Sequence, residues 1–203
     1  MPDRSFESII ASCLEHWEQR PHHFRSQTAA HAAGLLDAND LPTMLARVPK
    51  HDGSGASGQI FCNGVRQPPD HGLAAAFLRG GSLVVNRVDL LWAPIARLCV
   101  AVRPLVHHAF GVVYLTPRDS QAVKAHSDDQ DVFVLQLAGS KQGRVYGAPI
   151  PLPRSDEQRG KPGRAEVGEL GEPTLAVELT QGDVLCIPRG FVHEARASGD
   201  ASS

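Results

Sequence analysis

Residues 114–146 read YLTPRDSQAVKAHSDDQDVFVLQLAGSKQGRVY, and residues 181–195 read QGDVLCIPRGFVHEA. Both stretches contain short runs rich in Val, Leu and Phe, which are typical of buried β-strands. Turns that contain Gly or Pro separate these runs. Because helical patterns come earlier in the chain, the sequence predicts a mostly β protein, a small barrel or double sheet with flanking helices.

The chain is predicted to divide near residue 105. Residues 1–105 form a helical and mixed region that packs on the barrel, and residues 106–203 form its core, which is expected to be incomplete at its C-terminal end. Helices are predicted over residues 6–20, after Asp37, and over 89–102. Strands are predicted over residues 60–65, 111–115, 131–137, 144–146, 175–179, 184–187 and 191–197, with a loop at 51–58 and a mobile insertion rich in Gly and Pro at 151–173.

Charge and hydropathy argue against two kinds of partner. The formal net charge is −2 and no run of Lys or Arg is present, so direct binding to nucleic acid is not expected. The longest apolar stretch is interrupted by Pro94, Arg97 and Arg103, so no membrane span is predicted. The N-terminus has no charged start followed by an apolar core, so no secretory signal is predicted and a cytoplasmic location is expected.

The four cysteines are far apart in the sequence and form no CxxC pair. Neither a zinc knuckle nor a disulfide framework is therefore indicated. The expectation is that all four are buried thiols in a reducing cytoplasm: Cys13, Cys62, Cys99 and Cys186.

His126 and Asp128 indicate metal chemistry. Residues i and i+2 of a strand point to the same face, so this pair would direct an imidazole and a carboxylate into one space. Fe(II) accepts such ligands, and a third ligand would complete a facial triad with open coordination positions. His193 is the predicted third ligand, on a later strand where the small Ala195 leaves room for a metal. An isolated His-x-Asp pair is more often solvated, so the prediction depends on finding all of these features in order.

The two quoted stretches, together with EHWEQRPHHF at residues 15–24, resemble the JmjC-type cupins of the ribosomal oxygenase group. The resemblance implies a double-stranded β-helix, or jelly-roll, barrel that uses Fe(II), 2-oxoglutarate and O2 to hydroxylate a side chain, typically of a ribosomal protein. It implies His126, Asp128 and His193 as iron ligands. It also implies that Lys141 pairs with the distal carboxylate of 2-oxoglutarate.

The roles of Lys141 and Tyr114 stay open at this point. A dianionic cosubstrate needs a cation at its far end, but Lys141 could also be a solvated turn residue. Tyr114 could donate its phenol hydroxyl to the same carboxylate or serve as a core aromatic. The family usually carries other residues at three positions, which here are Val112, Gly143 and Cys186.

Three classes of function are considered. The leading prediction is an Fe(II)- and 2-oxoglutarate-dependent dioxygenase that hydroxylates a side chain of a ribosomal or other protein. One alternative is a metal cupin with another activity, such as an isomerase or a dioxygenase without cosubstrate. Another is a non-catalytic or degenerate cupin fragment that acts as a binding module, or a hydroxylase of a small molecule or peptide. Members of the group continue past the position of Ser203, so a dimer is expected only if that C-terminal part is present.

Overall fold

The computed structural model describes residues 5–25, 32–49, 55–68 and 72–199. The helices are α1 (Phe6–Leu14), α2 (Leu41–Ala46), α3 (Leu73–Leu78), α4 (Ala93–Ala101) and α5 (Arg103–Val106), with short 3-10 helices at Val88–Leu90 and Ser155–Glu157. The strands are β1 (His22–Phe24), β2 (Ser57–Cys62), β3 (Val65–Gln67), β4 (Ser82–Asn86), β5 (Val112–Leu115), β6 (Val132–Leu135), β7 (Lys141–Val145), β8 (Leu175–Leu179), β9 (Val184–Ile187) and β10 (His193–Ala197).

These strands form three antiparallel sheets, in the orders β3-β2-β4-β5, β1-β9-β6 and β10-β7-β8. The second and third sheets share a cluster of buried apolar side chains, which includes Val145 and Leu179 from one sheet and Leu185 and Ile187 from the other. The mostly β architecture with flanking helices is therefore confirmed. The site described below lies where β10 meets the segment before β6.

Helix α1 is shorter than its predicted span of residues 6–20. The Ser5 side chain caps its N-terminus by accepting from the Ser8 N–H at 3.3 Å. Its buried face packs against β9. The helix ends at Leu14 because no later residue continues that face: Trp17, the next apolar residue at helical spacing, is 43% exposed.

The helix predicted over residues 89–102 is divided in the structure. A 3-10 turn over Val88–Leu90 comes first, and α4 begins only at Ala93, with Pro94 in its first turn. Proline lacks an N–H donor and is tolerated only where a helix begins, so it places the boundary here. In the N-terminal part, residues 51–54 of the predicted loop lie outside the described residues, and Ser57 and Gly58 already belong to β2.

The expectation for the cysteines is wrong for three of the four. Cys13 of α1 and Cys186 of β9 form a disulfide, and Cys62 is exposed. Only Cys99 is a buried free thiol. The packing of α1 on β9 brings the α-carbons of Cys13 and Cys186 to 6.5 Å, although 173 positions separate them in the sequence. The spacing of cysteines in the sequence cannot predict a contact that depends on tertiary packing.

Candidate metal centre

His126, Asp128 and His193 converge on one point. One ligand atom from each lies within 4.8 Å of the other two. Among the described residues, no other group of three or more His, Cys, Asp or Glu side chains converges in a way that could hold a metal ion. Asp128 Oδ2 is 3.7 Å from His126 Nε2 and 3.4 Å from His193 Nε2. The predicted convergence of these three side chains is therefore observed.

The backbone that holds the two histidines is paired directly. His126 N–H donates to the His193 carbonyl at 3.1 Å, and His193 N–H donates to the His126 carbonyl at 2.8 Å. His193 begins β10, opposite Val145 of β7. The sequence predicted one strand that carries both His126 and Asp128. In the structure His126 forms only this isolated bridge, and Asp128 lies outside the strands.

Both imidazoles are oriented by their own backbone neighbours. His126 Nδ1 lies 2.8 Å from the Lys124 carbonyl, and His193 Nδ1 lies 3.0 Å from the Phe191 carbonyl. A carbonyl can only accept, so each Nδ1 carries the hydrogen of this bond. Each Nε2 then keeps its lone pair, which is the tautomer that a metal ligand needs.

The local charges match this assignment. Burial, followed by the neighbouring His193, lowers the pKa of His126 to about 4, so its imidazole is neutral at pH 7. Burial favours a raised pKa for Asp128, but His193, His126 and Lys161 outweigh it and hold the pKa of that carboxyl below its usual value. The site therefore offers two imidazole nitrogens and one anionic oxygen. Such a set fits Fe(II) or a similar divalent cation and leaves coordination positions open.

The insertion predicted to be mobile packs against this site. Ser127 N–H donates to the Arg159 carbonyl at 3.0 Å, and Arg159 N–H donates to Ser127 Oγ at 3.0 Å. Lys161 donates from Nζ to Asp128 Oδ1. Sequence reasoning did not single out Arg159 or Lys161, because a segment rich in Gly, Pro and charge carries no periodic pattern that would show where it docks.

Lys141 is buried in a strand, so it is not a solvated turn residue, which was one of the two possibilities left open by the sequence. It begins β7 and is only 7% exposed, and its Nζ lies 3.5 Å from the Tyr114 carbonyl. Burial lowers the pKa of Lys141 to about 8. Among the described residues, no carboxylate lies within ion-pair distance of this ammonium.

Tyr114 lies on β5, and its carbonyl oxygen is 3.5 Å from Lys141 Nζ. The residue as a whole is 38% exposed, so it is not a core aromatic, although its phenol group is buried. Burial and then the charge of Asp128 raise the pKa of the phenol to about 12, which keeps it a hydrogen-bond donor at neutral pH.

The three positions that depart from the family pattern have separate surroundings. Val112 pairs with Asn86 at the edge of the β4–β5 ladder. A β-carbon added to Gly143 would lie 3.6 Å from Leu185 and from Val177, both ordinary contact distances, so the position has room for a methyl group packed against core side chains. Cys186 belongs to the disulfide.

An antiparallel β core with a His–Asp–His group at the junction of two sheets defines a metal-site cupin. The chain belongs to the JmjC domain family, whose model matches residues 89–203. The resemblance read from residues 114–146 and 181–195 is thereby confirmed.

Similar proteins place the chain within this family. It is 30% identical over 199 residues to "Bifunctional lysine-specific demethylase and histidyl-hydroxylase NO66" of Drosophila persimilis, covering 93% of this chain and 28% of that protein. It is 32% identical to human "Ribosomal oxygenase 1", covering 92% and 30%. The Escherichia coli ribosomal oxygenase YcfD, solved in complex with cobalt and 2-oxoglutarate, superimposes with a TM-score of 0.66 at 23% identity, covering 95% and 49%.

The likeness to YcfD supports the JmjC/cupin fold. The chain spans about half the length of that protein and under a third of the two curated relatives named above. Within the described residues, no helix is long and apolar enough to cross a membrane.

Proposed function

We propose that the chain is the catalytic unit of an Fe(II)- and 2-oxoglutarate-dependent oxygenase that hydroxylates a protein side chain. The observation that carries the proposal is the oriented triad of His126, Asp128 and His193. The two imidazoles and one carboxylate meet in a mostly buried space, and each histidine keeps Nε2 free because its Nδ1 is bonded to a carbonyl. A bound Fe(II) with 2-oxoglutarate and O2 would supply the oxidation that converts a C–H bond to C–OH, with succinate and CO2 as the other products.

Lys141 would bind the distal carboxylate of 2-oxoglutarate. Residues directly opposite each other in an antiparallel pair share a face, and so do residues two apart on one strand. Lys141 therefore shares a face with His193, because it is opposite Ala197 and four residues from Val145, the partner of His193. Four strand residues span about 13 Å. This span leaves room for the lysine side chain and for a short dicarboxylate between the ammonium and the triad.

The residues between these two ends are small. Gly143 of β7 and Ala195 of β10 face each other across the pair. Large side chains there would fill the path from Lys141 to His193. A buried ammonium without a carboxylate partner is costly, so an incoming carboxylate at this position would gain a charge-assisted hydrogen bond.

Tyr114 would add a second donor at that end. Its carbonyl already contacts Lys141 Nζ, and its phenol is protonated at neutral pH, as an unperturbed phenol also is. The hydroxyl would donate to the distal carboxylate. Tyr114 and Lys141 together would thus orient the cosubstrate, whereas the triad would hold its other end through the metal.

The substrate class is proposed from the relatives. Their names describe a histidyl-hydroxylase and a ribosomal oxygenase, so we assign a protein side chain, with ribosomal proteins as the first candidates.

Turnover of 2-oxoglutarate tests the proposal. Succinate is measured with Fe(II) and O2, with and without ribosomal-protein peptides, for the wild type, His126→Ala and His108→Ala. His108 is an exposed histidine outside the triad, with its ring beside Phe110, and serves as the matched control. We expect succinate from the wild type and from His108→Ala, stimulated by a substrate peptide, and none from His126→Ala. No succinate from the wild type under any condition would contradict the proposal.

A further inference from the structure

Lys161 contacts the carboxylate of the triad from outside the strands. Its Nζ donates to Asp128 Oδ1, whereas Asp128 Oδ2 faces the two histidines. The two oxygens of one carboxylate therefore have different partners. Lys161 belongs to the segment that follows the 3-10 helix at Ser155–Glu157, and neither the strands nor the triad require a cation there.

A tight turn places Lys161 beside Asp128. Gly160 N–H donates to the Ala165 carbonyl at 2.8 Å, and Arg164 N–H donates to the Lys161 carbonyl at 2.9 Å. Gly160 also lies so close to the chain before His126 that an added β-carbon would be 2.3 Å from the Ala125 carbonyl oxygen. The turn thus packs directly against the segment that carries His126 and Asp128.

We propose that Lys161 is a positioning residue that fixes Asp128 as a ligand through one oxygen. The inference rests on the proposed function, because it assumes that the triad binds a metal. With Oδ1 held by Lys161, only Oδ2 is directed toward the two Nε2 atoms. Without this bond, the carboxylate can rotate about its last torsion or offer both oxygens to the metal, and either change would consume an open coordination position or weaken the site.

The positive charge of Lys161 repels a bound metal ion, whereas its hydrogen bond to Asp128 favours binding of the ion. The Lys161 side chain is 31% exposed, so solvent weakens its repulsion of a metal ion. Its hydrogen bond to the mostly buried carboxylate is directional and charge-assisted. The orienting effect therefore outweighs the repulsion, and removal of Lys161 lowers metal affinity.

The test uses Co(II) alone, titrated into the full chain and followed by its visible absorption bands, which report coordination number and geometry. The variants are Lys161→Met, which removes the donor at similar size, and Lys161→Arg, which retains charge and donors. Arg164→Met is the matched control, because Arg164 is a cation of the same turn that donates to the Ser155 carbonyl rather than to Asp128. The unfolding temperature of each metal-free variant reports its fold.

We expect Lys161→Met to raise the dissociation constant for Co(II) about 10- to 100-fold and to change the absorption bands. Lys161→Arg recovers most of both properties, and Arg164→Met resembles the wild type. Unchanged or tighter Co(II) binding by Lys161→Met, with wild-type bands, overturns the role of Lys161 and leaves the proposed function standing. Failure of the wild type to bind Co(II) overturns the metal site itself, and the role of Lys161 with it.

Discussion

His126 and His193 exchange two backbone hydrogen bonds, at 3.1 and 2.8 Å, and their ring centroids are 4.5 Å apart. Main-chain pairing therefore holds together two side chains that are far apart in the sequence. Each ring is also oriented by its own Nδ1 contact with a backbone carbonyl. The fold itself thus restricts both ligands, which reduces the entropy that binding of an ion would cost.

Lys141→Ala is expected to weaken binding of 2-oxoglutarate about ten- to hundred-fold, because a hydrogen bond to a charged group contributes roughly 1.5–3 kcal/mol. Metal affinity is expected to stay nearly unchanged. The measurement is calorimetric titration of 2-oxoglutarate into Mn(II)-loaded protein. Arg144→Ala is the control, because Arg144 lies on the same strand but turns outward, 3.9 Å from Glu194. Equal losses in both variants would show that the effect is not specific to Lys141.

The affinity for 2-oxoglutarate is expected to fall as the pH rises above about 8. Burial lowers the pKa of Lys141 to about 8, so the free protein holds a charged ammonium below this pH and loses it above. Because the carboxylate binds the charged form, the dissociation constant should rise by about tenfold per pH unit above the pKa, until the higher pKa of the complex is reached. Dissociation constants at pH 7 and pH 9, under anaerobic conditions with Mn(II), measure this change.

Lys141→Arg provides the comparison for this pH effect. A guanidinium stays charged throughout the range, so this variant should lose most of the pH dependence even if its affinity is lower. The same slope in Lys141→Arg and in the wild type would assign the titration to another group.

Gly160→Ala is expected to destabilise the protein by about 1–3 kcal/mol more than Gly163→Ala. Both glycines have positive φ, +70° and +72°, so each substitution carries the same backbone strain. Only at Gly160 would the new β-carbon meet backbone, at 2.3 Å from the Ala125 carbonyl oxygen, whereas nothing lies within 4 Å at Gly163. Chemical denaturation measures the difference. Equal losses of stability would mean that the turn does not pack against the segment that carries His126 and Asp128.

The Cys13–Cys186 disulfide is expected to stabilise the fold by roughly 2–5 kcal/mol, because it closes a long loop. Cys13→Ser should therefore lower the unfolding temperature, and a reductant should lower that of the wild type but not that of the variant. Cys62→Ser, which removes an exposed free thiol, is the control. The titration of four thiols rather than two in unfolded, unreduced protein would contradict the cross-link.

Much of the core and the convergence of the triad could be predicted from the sequence. The strands Leu175–Leu179 and Val184–Ile187 match their predicted bounds, because Gly- and Pro-containing turns on each side delimit them. His126, Asp128 and His193 could be found because a facial triad needs few residue types in a fixed order. These features depend on residues that are near one another in the sequence or on a strongly constrained chemistry.

What could not be predicted depends on tertiary contact. Strand β1 has no strand pattern of its own, and it forms only because β9 offers it a free edge. Lys161 stands in a segment without periodicity, and its role follows from the docking of a turn whose position no local signal shows. In both cases a partner distant in the sequence determines the conformation.

The pairing of β1 with β9 constrains the order in which the protein folds. His22, His23 and Phe24 pair with Cys186, Leu185 and Val184, which follow them by at least 160 positions in the sequence. Because a growing chain leaves the ribosome from its N-terminus, β1 has no partner until β9 has been made. Contacts of such long range are slow to form, so we expect closure of this sheet to limit the rate of folding.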